Sequence, residues 1–155
     1  MYVNIWTLFT HCVIKHILVP YDFTNFADLA FEKAVEIAQK FESKLTLITV
    51  IGSDIDTAGM SLQRAQESHD EIEKKAKTDL ITRSSKYGGL DISVEIINSP
   101  SSSDGILTYA EKNSVDMIVM GSHGRAGFKK LVLGSVASNI VTKSKYPVLI
   151  VKSTT

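Results

Sequence analysis

Two rhythms of apolar residues alternate along this chain: short β-rich runs, and longer stretches in which apolar positions recur every three or four residues. The first run, Lys15 to Pro20 (KHILVP), reads as a strand closed by Pro20, with Tyr21-Asp22-Phe23-Thr24 as the turn after it. A helix follows, capped by Thr24 or Asn25, with Phe26, Leu29, Ala30, Ala34, Ile37 and Ala38 along one face. Leu45 to Ile51 (LTLITVI) is a second strand, and Gly52 to Met60 a polar loop. From Ser61 to about Lys86 the chain is charged and helix-favouring. There Ile72, Ala76, Leu80 and Ile81 mark a narrow buried stripe, and Gly88-Gly89 ends the helix.

The alternation continues. Leu90 to Ile97 (LDISVEII) is a third strand, and a helix with Ile106, Leu107 and Ala110 on its apolar face ends at Asn113. Val115 to Met120 (VDMIVM) has the length and character of a buried parallel strand. After a long loop, a helix from about Gly134 to Lys143 turns Val136, Ile140 and Val141 inward, and Val148 to Val151 (VLIV) is the last strand. Strands alternating with helices predict an α/β fold, a mainly parallel sheet covered on both faces and joined by right-handed crossovers. Ligands of such sheets bind beyond the carboxyl ends of the strands, where strand order reverses. With the first and fourth strands as neighbours, the Pro20-Tyr21-Asp22 loop lies beside Gly121 at that reversal, and Val50 reaches its rim.

Composition narrows the chemistry. At 155 residues there is material for one core, and 44% hydrophobic with 22% charged residues is ordinary for a globular chain. Seventeen basic and seventeen acidic residues give a formal net charge of zero, which offers nothing to attract nucleic acid or an acidic membrane. An anion site must therefore be local. The single cysteine, Cys12, excludes an internal disulfide and a multi-cysteine metal cluster and fits a reducing, cytoplasmic setting. Residues 1–14, the apolar MYVNIWTLFTHCVI, form an N-terminal extension to a domain over 15–155. It is too short to span a bilayer and lacks a basic region and a cleavage site. An ordered extra strand or docking arm, a start placed too far upstream, and a membrane-surface anchor are the three readings.

A local anion site is present in outline. Gly121-Ser122-His123-Gly124 follows the fourth strand, and nine residues later Gly134-Ser135 opens a helix. Glycines past a strand let backbone amides approach an anion, and the start of a helix adds unpaired amides, a positive dipole end and a hydroxyl. Neither a GxxxxGK[ST] P-loop nor a GxGxxG dinucleotide fingerprint is present.

These residues, VDMIVMGSHGRAGFKKLVLGSVASNIV followed by YPVLIV, resemble the C-terminal half of the universal stress protein family in its nucleotide-binding branch, whose GxxG, nine residues, G[ST] signature they match without a gap. KHILVPYDF and the Ala-rich helix after it resemble that family's first strand, loop and helix, so the likeness runs from about Lys15 to Lys152. The resemblance implies an open five-stranded parallel sheet of strand order 3-2-1-4-5 with helices on both faces, Rossmann-like and adenine nucleotide alpha hydrolase-like. It also implies a homodimer through the final strand and ATP in the switch-point crevice. Carried over by position, Pro20, Asp22 and the backbone of Val50 would meet adenine and ribose, with Met120, Gly121, Gly124, Gly134, Ser135 and Val136 holding ribose and triphosphate. Ser122 and His123 lie inside the signature, and His123, Arg125, Lys129 and Lys130 add local positive charge. Magnesium would travel with the phosphates, keeping several waters, with Asp22 as a contact and no direct protein metal site.

Plainer roles stand beside these. Gly121 and Gly124 can form a strand-ending turn, Ser135 can cap a helix, and Asp22 can cap the first helix with Thr24. His123 has no nucleophile or orienting acid beside it for a triad. His11, His16 and His69 show no metal-ligand spacing and are expected at unrelated surfaces, and Cys12 reads as a small apolar residue. Lys143-Ser144-Lys145 is expected to satisfy a helix C-terminus. Three functions follow: a regulatory ATP-binding protein of a stress response with at most slow hydrolysis, a weak ATPase or adenylate-handling enzyme, and an interaction protein that binds no nucleotide. AMP and cyclic AMP offer the same adenine and ribose contacts as ATP.

Overall fold

The computed structural model describes residues 14–52, 61–124 and 133–152. Its elements run β1 (His16–Pro20), α1 (Asn25–Phe41), β2 (Lys44–Ile51), α2 (Leu62–Ser84), β3 (Ile92–Asn98), α3 (Ser102–Lys112), β4 (Met117–Gly121), α4 (Ser135–Lys143) and β5 (Val148–Val151). The strands form one sheet in the order β3-β2-β1-β4-β5, and every neighbouring pair is parallel. The chain moves outward from β1 to β3 on one side and then returns to β4 and β5 on the other. The order therefore reverses between β1 and β4, and their following loops meet there.

Alternation along the strands divides the core in two. Ile17, Val19, Leu45, Leu47 and Val119 face α1 and the end of α2, packing with Ala30, Phe31, Ala34 and Leu80. Leu18, Ile48, Ile118 and Met120 face α3 and α4 through Ile106, Ala110, Ala137 and Ile140. The central strands are thus apolar on both sides, as sheets covered on both faces require.

Local chemistry sets the helix ends. Thr24 accepts the Ala27 amide and caps α1, so Asn25 is the first helical residue rather than the cap. Glu42, in the left-handed region at φ 55°, closes that helix. Ser61 and Ser101 cap α2 and α3 in the same way as Thr24.

Two buried stripes differ from expectation. Ile72 and Ile81 are 42% and 50% exposed, and only Ala76 and Leu80 of α2 are buried. A 23-residue helix is about 34 Å long, whereas the seven residues of β3 span roughly 23 Å, so the first half of α2 outruns the sheet that could cover it. In α4 the inward pair is Ala137 and Ile140, while Val141 is 46% exposed. A helix as short as α4 makes one narrow contact, and Val141 lies about 100° round from Ile140.

His16 is buried instead of lying at the surface. Its Nδ1 meets the Asn113 carbonyl at 3.0 Å and its Nε2 meets Thr46 Oγ1 at 2.8 Å, with Ser93 Oγ 2.9 Å further on. The carbonyl can only accept, so Nδ1 carries a proton and donates it. The Ser144 amide closes α4, while Lys143 at its end and Lys145 just beyond it bond to Asp104 and Glu111 of α3. His11, Cys12, Lys129 and Lys130 lie outside the described residues.

Candidate functional site: a cleft at the strand reversal

Above the carboxyl ends of β1 and β4 lies a cleft of about 840 Å³, walled by the loops after β1, β2 and β4 and by the starts of α3 and α4. That size suits a small-molecule site. Pro20, Asp22, Val50, Met120, Gly121, His123, Gly124, Gly134, Ser135 and Val136 all line it. Residues that are 116 positions apart in the sequence, Pro20 and Val136, thus share one wall because strand order reverses there. Arg125 lies outside the described residues.

Ser122 is placed differently. It is 1% exposed, its amide donates to the Val151 carbonyl at 2.9 Å, and its own carbonyl accepts the Gly134 amide at 2.8 Å. Ser122 therefore sits beneath the cleft and pins the start of α4 to the end of β4. Its Oγ lies 3.0 Å from His123 Nδ1, while His123 Nε2 is buried without a hydrogen-bond partner among the described residues. The imidazole is also packed against Phe26, at 5.3 Å between ring centres.

The two glycines of the loop have different physical causes. Gly121 belongs to β4 and pairs with Val151, and a Cβ there would sit 2.8 Å from the Phe26 backbone. Its small size lets the first turn of α1 rest on the strand. A Cβ on Gly124 would instead meet Asp22 Oδ2 at 3.0 Å, so this glycine lets the β4 loop approach the β1 loop.

Polarity inside the cleft comes from backbone ends. Gly134 stands at the N-cap of α4 without a side-chain capping bond, leaving Ser135, Val136 and Ala137 at an open helix start on the wall. Unpaired amides and the dipole make such an end favourable for an anion. Across from it, Asp22 Oδ1 accepts from the Thr24 amide at 3.1 Å and the Thr24 hydroxyl at 2.6 Å. Asp22 thereby orders the turn that Thr24 caps, and its carboxylate is fixed at the mouth of the cleft.

Phe23 adopts φ 66°, a left-handed conformation that costs a bulky residue roughly 1–2 kcal/mol. Its ring packs edge-on against Tyr21 at 5.4 Å. Tyr21 is 2% exposed; its amide donates to the Ile48 carbonyl and its carbonyl accepts from Thr49 Oγ1. Burial, with the hydrogen bond to Asp28, pushes the Tyr21 phenol far above its ordinary range.

The sequence placed the Pro20-Tyr21-Asp22 loop at the reversal without giving Tyr21 a role, and did not anticipate Thr49, Ser102 and Ile106 on the wall. Thr49 is one of two hydroxyls, with Thr46, inside the apolar run LTLITVI, and the pattern does not say which of them reaches the cleft. Ser102 and Ile106 come from α3, whose reach over the sheet no local pattern encodes.

Comparison with known proteins identifies the lineage. The chain is 31% identical over 156 residues to universal stress protein MJ0577 of Methanocaldococcus jannaschii, covering 89% of this chain and 94% of that one. The solved structure of MJ0577 superposes with a TM-score of 0.78 over 92% of this chain and 99% of that chain at 28% identity. UspA from Lactobacillus plantarum superposes with a TM-score of 0.79 at 25% identity, covering 89% of this chain and 97% of that one. A universal stress protein solved in complex with cAMP shares the fold, with a TM-score of 0.67 at 20% identity over 90% of this chain and 97% of that one. The model of the universal stress protein family matches residues 14–152, and the chain belongs to that family.

Proposed function

We propose that the cleft binds ATP and that the protein is a nucleotide-dependent regulatory module of a stress response, holding its ligand rather than turning it over. The observation that carries this reading is the convergence of an uncapped α4 start with the Asp22 loop across one 840 Å³ cleft. Adenine would lie toward the apolar side formed by Pro20, Val50 and Ile106, where a backbone edge can read its polar atoms. Ribose hydroxyls suit Asp22. The phosphates suit the amides of Gly124, Ser135 and Val136, which line the same wall.

The donor set also fits magnesium, which would neutralise charge between phosphate oxygens while keeping most of its waters, with Asp22 as the neighbouring carboxylate. Slow chemistry follows from the same wall. His123 is the only imidazole lining the cleft among the described residues, and its Nδ1 lies beside the Ser122 hydroxyl rather than an orienting carboxylate. Phosphoryl transfer gains its speed from a placed base, metal and arginine, and no arginine lines this cleft among the described residues.

β5 forms one edge of the sheet with four half-buried residues, an edge suited to pairing with a second copy. A homodimer through this strand is part of the proposal, and light scattering with Ile150→Lys tests it.

A turnover assay with Mg-ATP separates a binding module from an enzyme. Retention of intact ATP for hours supports the module, and many turnovers per minute abolished by Asp22→Ala would establish the weak ATPase instead. Competition with AMP and cyclic AMP reads the phosphate contribution. ATP binding more tightly than either supports the amide cradle, and equal affinity for all three removes it.

A further inference from the structure

Asp28 and Arg83 line no part of the cleft, yet both reach the residue that joins Pro20 to Asp22. The Tyr21 hydroxyl donates to Asp28 Oδ1, and Arg83 Nη1 lies 2.6 Å from that same oxygen. The Arg83 guanidinium also lies over the Tyr21 ring, 5.4 Å from its centre. Asp28 stands in the first turn of α1 and Arg83 in the last turn of α2, each at the helix end that favours its charge. One oxygen thus gathers a phenol from the cleft loop and a cation from the helix beyond it.

What Tyr21 supports is the strained part of the loop. Its ring packs on Phe23, held at φ 66°, and on Phe31, which in turn meets Tyr87 beyond the end of α2. A bulky residue keeps such a backbone only where its surroundings over-determine it. Phe23 directly follows Asp22, so relaxation at Phe23 would swing the carboxylate that faces Gly124. The ion pair itself is about one-third exposed on each side, which makes its contribution to global stability small. Its effect is on where Tyr21 sits.

We propose that Arg83 and Asp28 are positioning residues of the cleft: through Tyr21 they hold Phe23 in its left-handed turn and Asp22 at the mouth, so ligand affinity depends on a salt bridge that never touches ligand. The affinity part rests on the nucleotide reading above, whereas the loop part stands without any ligand.

Calorimetric titration with Mg-ATP tests the first part on the full chain. Arg83→Met, which keeps the alkyl stem, is expected to weaken binding about tenfold, within the range seen for coupled neighbours. Tyr21→Phe, which keeps the buried ring, is expected to weaken it about threefold by the same coupling. Lys33→Met, on the exposed Lys33–Glu36 pair of α1, serves as control and leaves binding unchanged. In an Asp22→Ala background, Arg83→Met should cost less than about twofold more, because the group it positions is gone. Equal losses in both backgrounds would mean a general loss of fold and overturn the proposal.

Amide hydrogen exchange without nucleotide tests the second part. Arg83→Met should speed exchange at Tyr21 and Thr24 while leaving Val119 in β4 unchanged. Unchanged exchange at Tyr21 and Thr24 overturns the proposal, whatever the titration shows. If the wild-type chain binds no Mg-ATP, the nucleotide reading fails, and the exchange data still decide whether Arg83 holds the loop.

Discussion

Asp22 Oδ2 lies 3.0 Å from the point that a Cβ on Gly124 would occupy. Two loops separated by a hundred residues are therefore packed as closely as their atoms allow, and this contact joins the halves of the cleft. Gly124→Ala should push the Asp22 carboxylate away from the mouth and weaken Mg-ATP binding by about tenfold, roughly 1.4 kcal/mol. Because the contact lies at the surface of the fold, the thermal midpoint should move little. Titration and a melting curve on one preparation separate the two effects.

Gly121→Ala should behave in the opposite manner. Its Cβ would meet Phe26 backbone atoms at 2.8 Å, and backbone cannot step aside as a flexible side chain can. Overpacking of this kind costs about 1–3 kcal/mol. Denaturant unfolding should register that loss, since the first turn of α1 would have to lift off β4.

A third prediction concerns alkaline stability. The folded Tyr21 phenol is raised above its unfolded value near 10 by burial and Asp28, so the native state keeps its proton when the unfolded chain has lost it. Stability from this group is complete below about pH 10 and falls as pH rises beyond it, by about 1.4 kcal/mol per pH unit. Tyr87 and Tyr109 are also raised by burial and add to the same slope. Tyr21→Phe should flatten the fall measured between about pH 10 and 11.5 by denaturant unfolding.

The buried His16 network sets a fourth. Thr46→Val removes the hydroxyl between His16 Nε2 and Ser93 Oγ and leaves polar atoms unpaired at a fully buried position. Unfolding should lose about 1–3 kcal/mol. Thr46 does not line the cleft, so Mg-ATP affinity should stay at the wild-type level.

Much of this architecture was legible because local and global signals agreed. The apolar runs around Ile17, Leu47 and Val119 are buried on both faces, which is why they read as central parallel strands. The glycine spacing from Gly121 to Ser135 placed nearly the whole β4 side of the cleft. Ile72 misled because periodicity reports which face a helix could bury, not how far the neighbouring sheet extends, and Ile81 because it lies about 100° round from the buried Leu80. His16 misled because a lone histidine carries no mark of the Asn113 carbonyl and Thr46 hydroxyl that await it. The reason for Gly121 was equally hidden, since the Phe26 backbone approaches it only once α1 has crossed β4.

The most direct measurement is calorimetric titration of the wild-type chain with Mg-ATP, run beside Asp22→Ala and Gly124→Ala. Saturable binding at one nucleotide per chain, weakened about tenfold in both variants with their folds intact, is the expected result. No heat of binding and no thermal shift with the wild-type chain, or undiminished affinity in both variants, would contradict the cleft as the nucleotide site.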